Sequence, residues 1–359
     1  MTLGNEPQVR LPEASRRELL DLARYWHETG VVEELRRRTG ATESAVKRQV
    51  DDPHGDTIDE FSLGGRTARD GHGAILTHLE WAFGVFPPSG EVMARAVPHA
   101  QVGDSNWFAA SYYLGQRRGP RIWSELTSLR QQPDPACRRF LAEVILHRNL
   151  FVPVNRPPDL AQDVEFLASW AQEEPDGQVL AAVLETFTGH GHPEQEAIGL
   201  RYIGHPDPGV RSAAVSCLDR ERAASALLGL VHDPEPEVRH AVAEAFPSWS
   251  APDKRLEPAV RDALLLLIRD EILGVRRRAA QSLSGYDDRS APVLDAFLAL
   301  LDEEDKDLLL EAAWALARRD HPRTEEAYER VGPLDVFSKH DHRTSALWYY
   351  RARSRSDQA

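Results

Sequence analysis

The stretch Val-Arg-Ser-Ala-Ala-Val-Ser-Cys-Leu at residues 210–218 decides the fold, because its pattern recurs twice further along the chain. Residues 238–246 read Val-Arg-His-Ala-Val-Ala-Glu-Ala-Phe, and residues 275–283 read Val-Arg-Arg-Arg-Ala-Ala-Gln-Ser-Leu. When each initial Val is position zero, a small or aliphatic residue stands at position four and a large apolar residue at position eight. Residues with this spacing share one face of a helix. The three segments therefore predict three equivalent amphipathic helices.

Three further segments fit the same frame, so that its starts lie at residues 137, 179, 210, 238, 275 and 308. Successive starts are 28 to 42 residues apart, which leaves room for two short helices and two turns in each repeat. Proline, glycine and acidic residues precede most of these helices, as in Pro206-Asp207-Pro208-Gly209, and indicate repeated helix ends and starts. The buried residues in the middle of the apolar stripe are predicted to include Ala214, Ala279 and Ala312.

Two repeats contain Asp, four residues, and then Val-Arg: Asp233 with Val238-Arg239, and Asp270 with Val275-Arg276. In this spacing the chain resembles the HEAT repeat family, in particular its short bacterial form, from about residue 130 to about residue 320. The resemblance implies an all-α fold, a right-handed α-solenoid of about six or seven helical hairpins with an N-terminal helical segment. It also implies that Asp233, Arg239, Asp270 and Arg276 form a structural ladder between neighbouring repeats.

The other repeats depart from the Asp and Arg pattern. The Asp position holds Gln132, Glu174, His205 and Glu303, and the Arg position holds Leu180 and Leu309. The resemblance therefore implies the ladder in the central repeats, which contain Asp233, Arg239, Asp270 and Arg276.

Composition divides the chain into four segments. Residues 1–50 are predicted to be an N-terminal helical segment, residues 51–73 an acidic and glycine-rich linker, residues 74–350 the solenoid, and residues 351–359 a tail. The sequence lends little support to β structure, because we find no alternating apolar runs bounded by hairpin turns.

An alternative for the N-terminal segment is a helix-turn-helix over residues 31–50, with Gly40 in the turn and Ser44 to Arg48 in the second helix. Arg36 and Gln49 stand where that motif favours a small and an apolar residue. This alternative makes the chain a DNA-associated regulator that contacts DNA only through residues 31–50. The other interpretation is a helical cap on the solenoid.

The acidic composition narrows the classes of partner. The formal net charge is -14, and a negative field opposes adhesion to phosphate backbones and anionic lipid. The longest aliphatic run, residues 263–268, is too short to cross a bilayer, and the N-terminal residues lack the apolar stretch of a signal peptide. We therefore expect a cytoplasmic protein. Cys137 and Cys217 are too few for a disulfide framework and are expected to be buried and poorly reactive.

The possible metal ligands form three short clusters: His190, His192 and Glu194; His340, Asp341 and His342; and Asp51, Asp52, Asp56, Asp59 and Glu60. None has the ligand spacing of a zinc or EF-hand signature. Gly64-Gly65 and Gly71-His72-Gly73 lack the strand and helix context of a phosphate-binding loop. We therefore predict neither a metal nor a cofactor.

An enzyme is the less favoured alternative, although some alkylpurine DNA glycosylases and bilin lyases are built on HEAT-like repeats. Trp314, followed by Asp320, is the nearest match to the aromatic and acidic groups of such a glycosylase. A glycosylase must also grip DNA, and the acidic repeats show no basic stripe. No residue pattern supports a lyase.

The binding surface is expected on the Val-Arg helices, which in HEAT proteins line the concave side. Because positions zero, four and eight face the core, positions two and six point away from it. Position six holds Glu143, Glu185, Ser216, Glu244, Gln281 and Trp314, and position two holds Arg139, Ala181, Ser212, His240, Arg277 and Leu310.

These rows predict a groove that binds another protein through a basic segment of that partner. Glu185 and Glu244 would attract the segment, and Trp314 would anchor one end. The simpler interpretation is that Arg139 with Glu143, and His240 with Glu244, are ordinary surface pairs of a helix.

Overall fold

A computed structural model describes residues 11–51, 57–100, 103–150, 158–246, 256–334 and 341–356. Helices dominate these residues, as the repeat pattern predicts, and the helical-hairpin repeat fold is confirmed. The described residues belong to two compact units. The first comprises Met1–Trp170 with Glu174–Thr186, and the second comprises Ala171–Glu173 with Phe187–Ala359.

The first unit begins with two helices and a small sheet, and hairpins of helices follow. Its helices are α1 (Glu13–Thr29), α2 (Val31–Thr39), α3 (His72–Ala82), α4 (Ser89–Ala96), α5 (Ser105–Gly115), α6 (Pro120–Ser128), α7 (Pro135–Leu150), α8 (Pro158–Ala171) and α9 (Gly177–Phe187). The helices α1, α3, α5 and α7 pack side by side in that order. The repeat therefore starts well before residue 130.

A three-stranded antiparallel sheet follows α2, with the order β1 (Val46–Asp51), β2 (Thr57–Leu63) and β3 (Arg66–Arg69). Leu63 packs with Val31 and Leu35 in a small core between the sheet and α2. Gly64 and Gly65 connect β2 to β3 with φ angles of 55° and 72°. Positive φ at both positions is the geometry of a type I′ hairpin turn. Glycine adopts it without strain.

The sheet corrects two expectations. Residues Ser44 to Arg48 do not form a second helix, because β1 begins at Val46. Most of the described residues in the expected linker at residues 51–73 belong to β2 and β3. The strands are favoured because Lys47 and Arg48 find acidic partners across the sheet. Lys47 Nζ lies 2.7 Å from Asp59 Oδ2, and Arg48 Nε donates to Glu60 Oε1 at 2.6 Å.

The second unit is a series of helical hairpins. Its helices are α10 (Gln195–Tyr202), α11 (Pro208–Ser216), α12 (Ala224–Gly229), α13 (Pro236–Ala245), α14 (Pro258–Leu267), α15 (Leu273–Ser284), α16 (Ala291–Ala299), α17 (Lys306–Arg318), α18 (Thr324–Val331) and α19 (Ala346–Ser356). The Val-Arg helices α11, α13, α15 and α17 pack side by side. Residues 351–356 belong to α19, so the expectation of a tail from residue 351 is wrong for them; residues 357–359 lie outside the described residues.

Local sequence explains where these helices begin. Asp207 accepts hydrogen bonds from the backbone N–H groups of Gly209 and Val210 at 2.9 and 3.3 Å, and Pro208 occupies the first turn of α11. An acidic cap followed by proline is favourable here because the first N–H groups of a helix have no partner within it. None of the described helices has both the length and the apolar character needed to cross a membrane.

The predicted apolar stripe forms the core of the second unit. Ala214, Ala279 and Ala312 are all completely buried, as predicted. Small residues at these positions allow neighbouring helices to approach closely, as Gly115 does where α5 meets α7 in the first unit. A Cβ atom on Gly115 would lie 2.9 Å from both the Cβ of His147 and the carbonyl oxygen of Val144.

Candidate binding face

A ladder of ion pairs connects successive hairpins within each unit. Arg211 binds Asp233 through two hydrogen bonds of 2.8 Å, and Arg239 binds Asp270 through two of 2.6 and 2.9 Å. Arg276 continues the series to Glu303 at 3.3 Å. The structure thus brings Arg239 together with Asp270, and places Asp233 and Arg276 in the neighbouring rungs.

Each ladder arginine also holds the turn before its own helix. The Nη1 atom of Arg239 donates to the carbonyl oxygens of Asp233 and Pro234 at 2.9 and 3.0 Å. Arg138 in the first unit makes the same contacts with Gln132 and Pro133 and binds Glu174. The ladder is therefore structural, because its groups are occupied in joining backbone turns to neighbouring hairpins.

The first unit carries a cluster of aromatic side chains on its packed row α3, α5 and α7. We call the group Phe108, Tyr112, Tyr113, His78 and His147 the aromatic face. Phe108 and His147 meet edge to face with their ring centroids 5.2 Å apart, and Tyr112 lies 5.8 Å from the same imidazole. Phe108 is 42% exposed. An apolar ring is therefore accessible to a partner at this face.

The imidazole of His147 contributes an uncharged ring to the aromatic face. The side chain is buried, and burial lowers the pKa of His147 to about 4. The ring is consequently neutral near pH 7. Its Nε2 atom lies 3.9 Å from Glu143 Oε1, too far for a hydrogen bond.

Two carboxylates, Glu143 on α7 and Glu185 on α9, border the aromatic face. Burial and the nearby charge of Glu185 raise the pKa of Glu143, against the opposing effect of Arg139. Desolvation also raises the pKa of Glu185, although this side chain is exposed. Both carboxylates are therefore less well solvated than ordinary surface glutamates and are close enough to repel each other.

The outward positions two and six of the helices in the second unit are mostly polar, and their charged side chains form ion pairs with one another or with neighbouring residues. Glu244 on α13 accepts a hydrogen bond from Arg278 on α15 at 2.7 Å and lies 4.0 Å from His240. Arg277 on α15 donates to Asp305 at 2.9 Å. Ser216 and Gln281 are exposed at the same positions of α11 and α15. In this row the charges of neighbouring helices largely compensate one another.

Trp314 is half-buried at the end of this row. Its ring meets His342 edge to face at 4.9 Å, and the guanidinium of Arg318 lies 5.1 Å from the ring centroid. Leu310, which was expected to point away from the core, is completely buried. The helix α19 packs against α17, and its residues Ala346, Leu347 and Tyr350 pack against the core that contains Leu310.

Comparison with known proteins identifies the same helical repeat. The family model described as HEAT repeats matches residues 164–247 and 223–317. Residues 164–317 are HEAT repeats. No curated protein matches the chain in sequence.

Solved structures share the repeat architecture. The X-ray structure of YibA from Escherichia coli is 17% identical, with a TM-score of 0.53 over 73% of this chain and 92% of that chain. A chain in a structure of Kap95p with RanGDP is 12% identical, with a TM-score of 0.47 over 96% of this chain and 50% of that chain. At its identity, the YibA match shows a shared fold and nothing about function.

The candidate metal ligands that the structure describes make local contacts. The Nδ1 atom of His192 accepts the backbone N–H of Glu194 at 3.2 Å, and Asp341 binds the guanidinium of Arg343. His340, Asp52 and Asp56 lie outside the described residues. In the described ranges, no three His, Cys, Asp or Glu side chains are grouped as metal ligands would be.

The two thiols differ in exposure. Cys217 is buried in the HEAT repeats, and burial raises its pKa to about 11. Cys137 is only half-buried, although burial raises its pKa as well.

Sequence reasoning missed the aromatic face. A signal for it was present, since Phe108 and Tyr112 lie on the side of α5 opposite Ala110 and Leu114, which are buried. The repeat frame begins at residue 137, so its rows of outward positions do not include α5.

Proposed function

We propose that this chain is a non-catalytic scaffold that binds another protein through the aromatic face and the adjoining Glu143 and Glu185. The ligand we propose is a segment of the partner that carries Arg or Lys next to an apolar residue. The observation that supports this proposal is the exposed Phe108 ring beside two carboxylates with raised pKa values.

The chemistry of the face favours a cation. Aromatic rings attract guanidinium and ammonium groups, and a desolvated surface strengthens that attraction. A cation between Glu143 and Glu185 would also relieve the repulsion between their carboxylates. The net charge of -14 would draw a basic segment towards the chain before contact.

The polar row of the second unit is part of the proposal as a second, weaker surface. Ser216, His240, Glu244, Arg277, Gln281 and Trp314 form it. Trp314 would supply the anchor, and the paired charges around Glu244 would adjust the association rate. We propose a cytoplasmic location, in keeping with the acidic composition.

DNA binding through residues 31–50 is not favoured. The helix-turn-helix is replaced by a strand, and the basic side chains of this region are paired with acids. Arg37 and Arg38 bind Glu34 at 2.8 and 2.6 Å, and Arg48 and Arg69 both bind Glu60.

A selection from a random peptide library on the full chain tests the proposal. We expect enrichment of peptides with Arg or Lys next to an aromatic or aliphatic residue. The tightest of these peptides is then labelled and titrated by fluorescence anisotropy. The double change Glu143→Gln and Glu185→Gln should weaken binding by about tenfold, and Phe108→Ala should weaken it at least as much.

A matched control carries the same change in net charge elsewhere. Glu18→Gln with Glu329→Gln alters two exposed carboxylates on α1 and α18, and this variant should keep the affinity of the wild type. Enrichment without basic residues, or an equal loss of affinity in both double variants, would show that the aromatic face does not bind a cationic segment.

A further inference from the structure

A cavity of about 520 Å³ in the first unit adjoins the aromatic face, because the ring of Trp81 in its lining lies 5.6 Å from the ring of Tyr113. Its residues come from the end of α3, the loop before α4, and the segment joining α5 to α6: Trp81, Phe86, Pro87, Pro88, Gln116, Arg117, Arg118, Arg121, Ile122 and Glu125. The volume lies within the range of pockets that hold small molecules.

The walls of the cavity combine flat apolar groups with arginines. Trp81 and Phe86 meet edge to face with their centroids 5.8 Å apart and form a corner. Three arginines and a single glutamate belong to the lining. This local excess of positive charge stands out in a chain whose net charge is -14.

The most informative side chain is Arg117. Its guanidinium lies 5.4 Å from the centre of the Phe86 ring, and its Nη1 atom donates to the carbonyl oxygen of Pro87 at 2.5 Å. Within the part of the chain that the structure describes, no carboxylate bonds to Arg117, and its Nε atom is shielded from water without an acceptor. Burial lowers the pKa of Arg117, against the opposing effect of the charges of Glu80 and Glu125.

Glu125, the glutamate of the lining, is already bound by other groups. Glu125 accepts hydrogen bonds from the Oγ and N–H of Ser89 at 2.9 and 3.4 Å, and lies 3.4 Å from Arg121. Arg118 donates to the carbonyl oxygens of Gly115, Arg117 and Arg148. The carbonyl oxygen of Pro87 satisfies a hydrogen bond of Arg117 without neutralising its charge, so this guanidinium gives the cavity a positive field.

We propose that this cavity binds a small aromatic anion, whose ring lies in the corner of Trp81 and Phe86 and whose phosphate or carboxylate group is held by Arg117 and Arg121. Guanidinium groups hold such anions through charge-assisted hydrogen bonds. The corner of Trp81 and Phe86 supplies the apolar contact. A ligand that contacts both the aromatic corner and the arginines must therefore carry both a ring and an anionic group. The proposal does not depend on the scaffold function, since the two surfaces share no residue.

The test is isothermal titration calorimetry of the full chain with three matched probes. 1-Naphthyl phosphate carries both the ring and the anion, 1-naphthol carries only the ring, and inorganic phosphate carries only the anion. We expect 1-naphthyl phosphate to bind at least about tenfold more tightly than either of the others, and its affinity to fall with added salt. Equal affinity for 1-naphthyl phosphate and 1-naphthol would overturn the proposal.

Variants then locate the site. Arg117→Gln should weaken binding of 1-naphthyl phosphate by about tenfold. Phe86 and Arg121 are exposed, so Phe86→Ala and Arg121→Gln test the cavity without risk to the fold. Arg66→Gln and Trp348→Ala are the matched controls, because they remove an exposed arginine and an exposed aromatic ring outside the lining. Unchanged affinity in both Phe86→Ala and Arg121→Gln would overturn the assignment.

Two more titrations distinguish the sources of such an anion. Adenosine monophosphate represents a free nucleotide, and a capped phosphotyrosine represents a modified side chain. Tighter binding of either than of inorganic phosphate supports the proposal and identifies the source. Failure of both, together with failure of 1-naphthyl phosphate, contradicts it.

Discussion

Arg239 and Asp270 are joined by two hydrogen bonds between successive hairpins, from Nε to Oδ2 at 2.6 Å and from Nη2 to Oδ1 at 2.9 Å. Both side chains are nearly inaccessible to solvent. Asp270 also accepts the backbone N–H of Ile272 at 2.9 Å. One carboxylate therefore fixes its own turn and the neighbouring hairpin together.

The first prediction concerns this rung. Asp270→Asn keeps the shape of the side chain but removes its charge, so the free energy of unfolding should fall by about 2 kcal/mol at pH 7. Urea unfolding followed by circular dichroism measures the change. Asp262→Asn, at an exposed position on α14, is the control and should be nearly neutral.

The same rung has a predictable pH dependence. Burial alone would raise the pKa of Asp270, but the hydrogen bonds from Arg239 and Ile272 outweigh it and lower the pKa below its usual value. A lowered pKa stabilises the folded state above the unfolded pKa of about 3.9, and this stabilisation is lost as the pH falls below it. The stability difference between wild type and Asp270→Asn should therefore shrink between pH 5 and pH 3. A constant difference would contradict this account.

The second prediction concerns the close approach of α5 and α7. Gly115→Ala should destabilise the chain by about 1–3 kcal/mol, because the new Cβ would lie 2.9 Å from atoms that cannot move independently of the backbone. Gly90→Ala on α4 is the matched control, since no atom lies within 4 Å of its added Cβ. That control should be neutral or slightly stabilising. Equal melting temperatures for both variants would refute the packing argument.

The third prediction tests the apolar stripe of the HEAT repeats. Ala279→Arg places a long charged side chain at a position that is 0% exposed, and should lower the free energy of unfolding by several kcal/mol, roughly 3 or more. Gln281→Arg introduces the same residue two positions later at an exposed site and should change stability little. Thermal melting compares the two, and similar curves would be incompatible with the repeat frame.

The fourth prediction concerns the two thiols. Burial raises the pKa of Cys217 to about 11, so this thiol should not react with an aromatic disulfide reagent in the native state at pH 8. Half-buried Cys137 should react slowly but measurably. The variants Cys137→Ala and Cys217→Ala separate the two rates. Faster labelling of Cys217 than of Cys137 would show that the second unit opens locally.

The fifth prediction concerns the pH dependence of the proposed cation binding. Because Glu143 and Glu185 have raised pKa values, they become protonated above the ordinary glutamate pKa of about 4.3. Affinity for a basic peptide should therefore fall as the pH is lowered from 7.5 towards 5, where ordinary surface carboxylates remain charged. Anisotropy titrations at each pH measure it. A pH-independent affinity would mean that neither carboxylate contacts the peptide.

The sequence alone determined the helical repeat. Val210, Val238 and Val275 mark the same position in successive repeats, and all three are completely or almost completely buried. The repeat can be predicted from the sequence because a helix is a local structure, and the residues on its buried face have a fixed spacing along the chain. The ladder partners follow the same order, since each repeat contacts the next one along the chain, at separations of 22 to 36 residues.

Only the tertiary structure decided the sheet and the aromatic face. The pairing of Arg48 with Glu60 depends on strands that meet across a loop, and the residues around Val46 have no strong local preference. The face arises because α5 and α7 approach at Gly115, which brings His147 against Phe108 and Tyr112. Such contacts are set by the packing of whole helices. The burial of Leu310 has the same cause, because α19 returns to cover α17, and no spacing within α17 indicates that return.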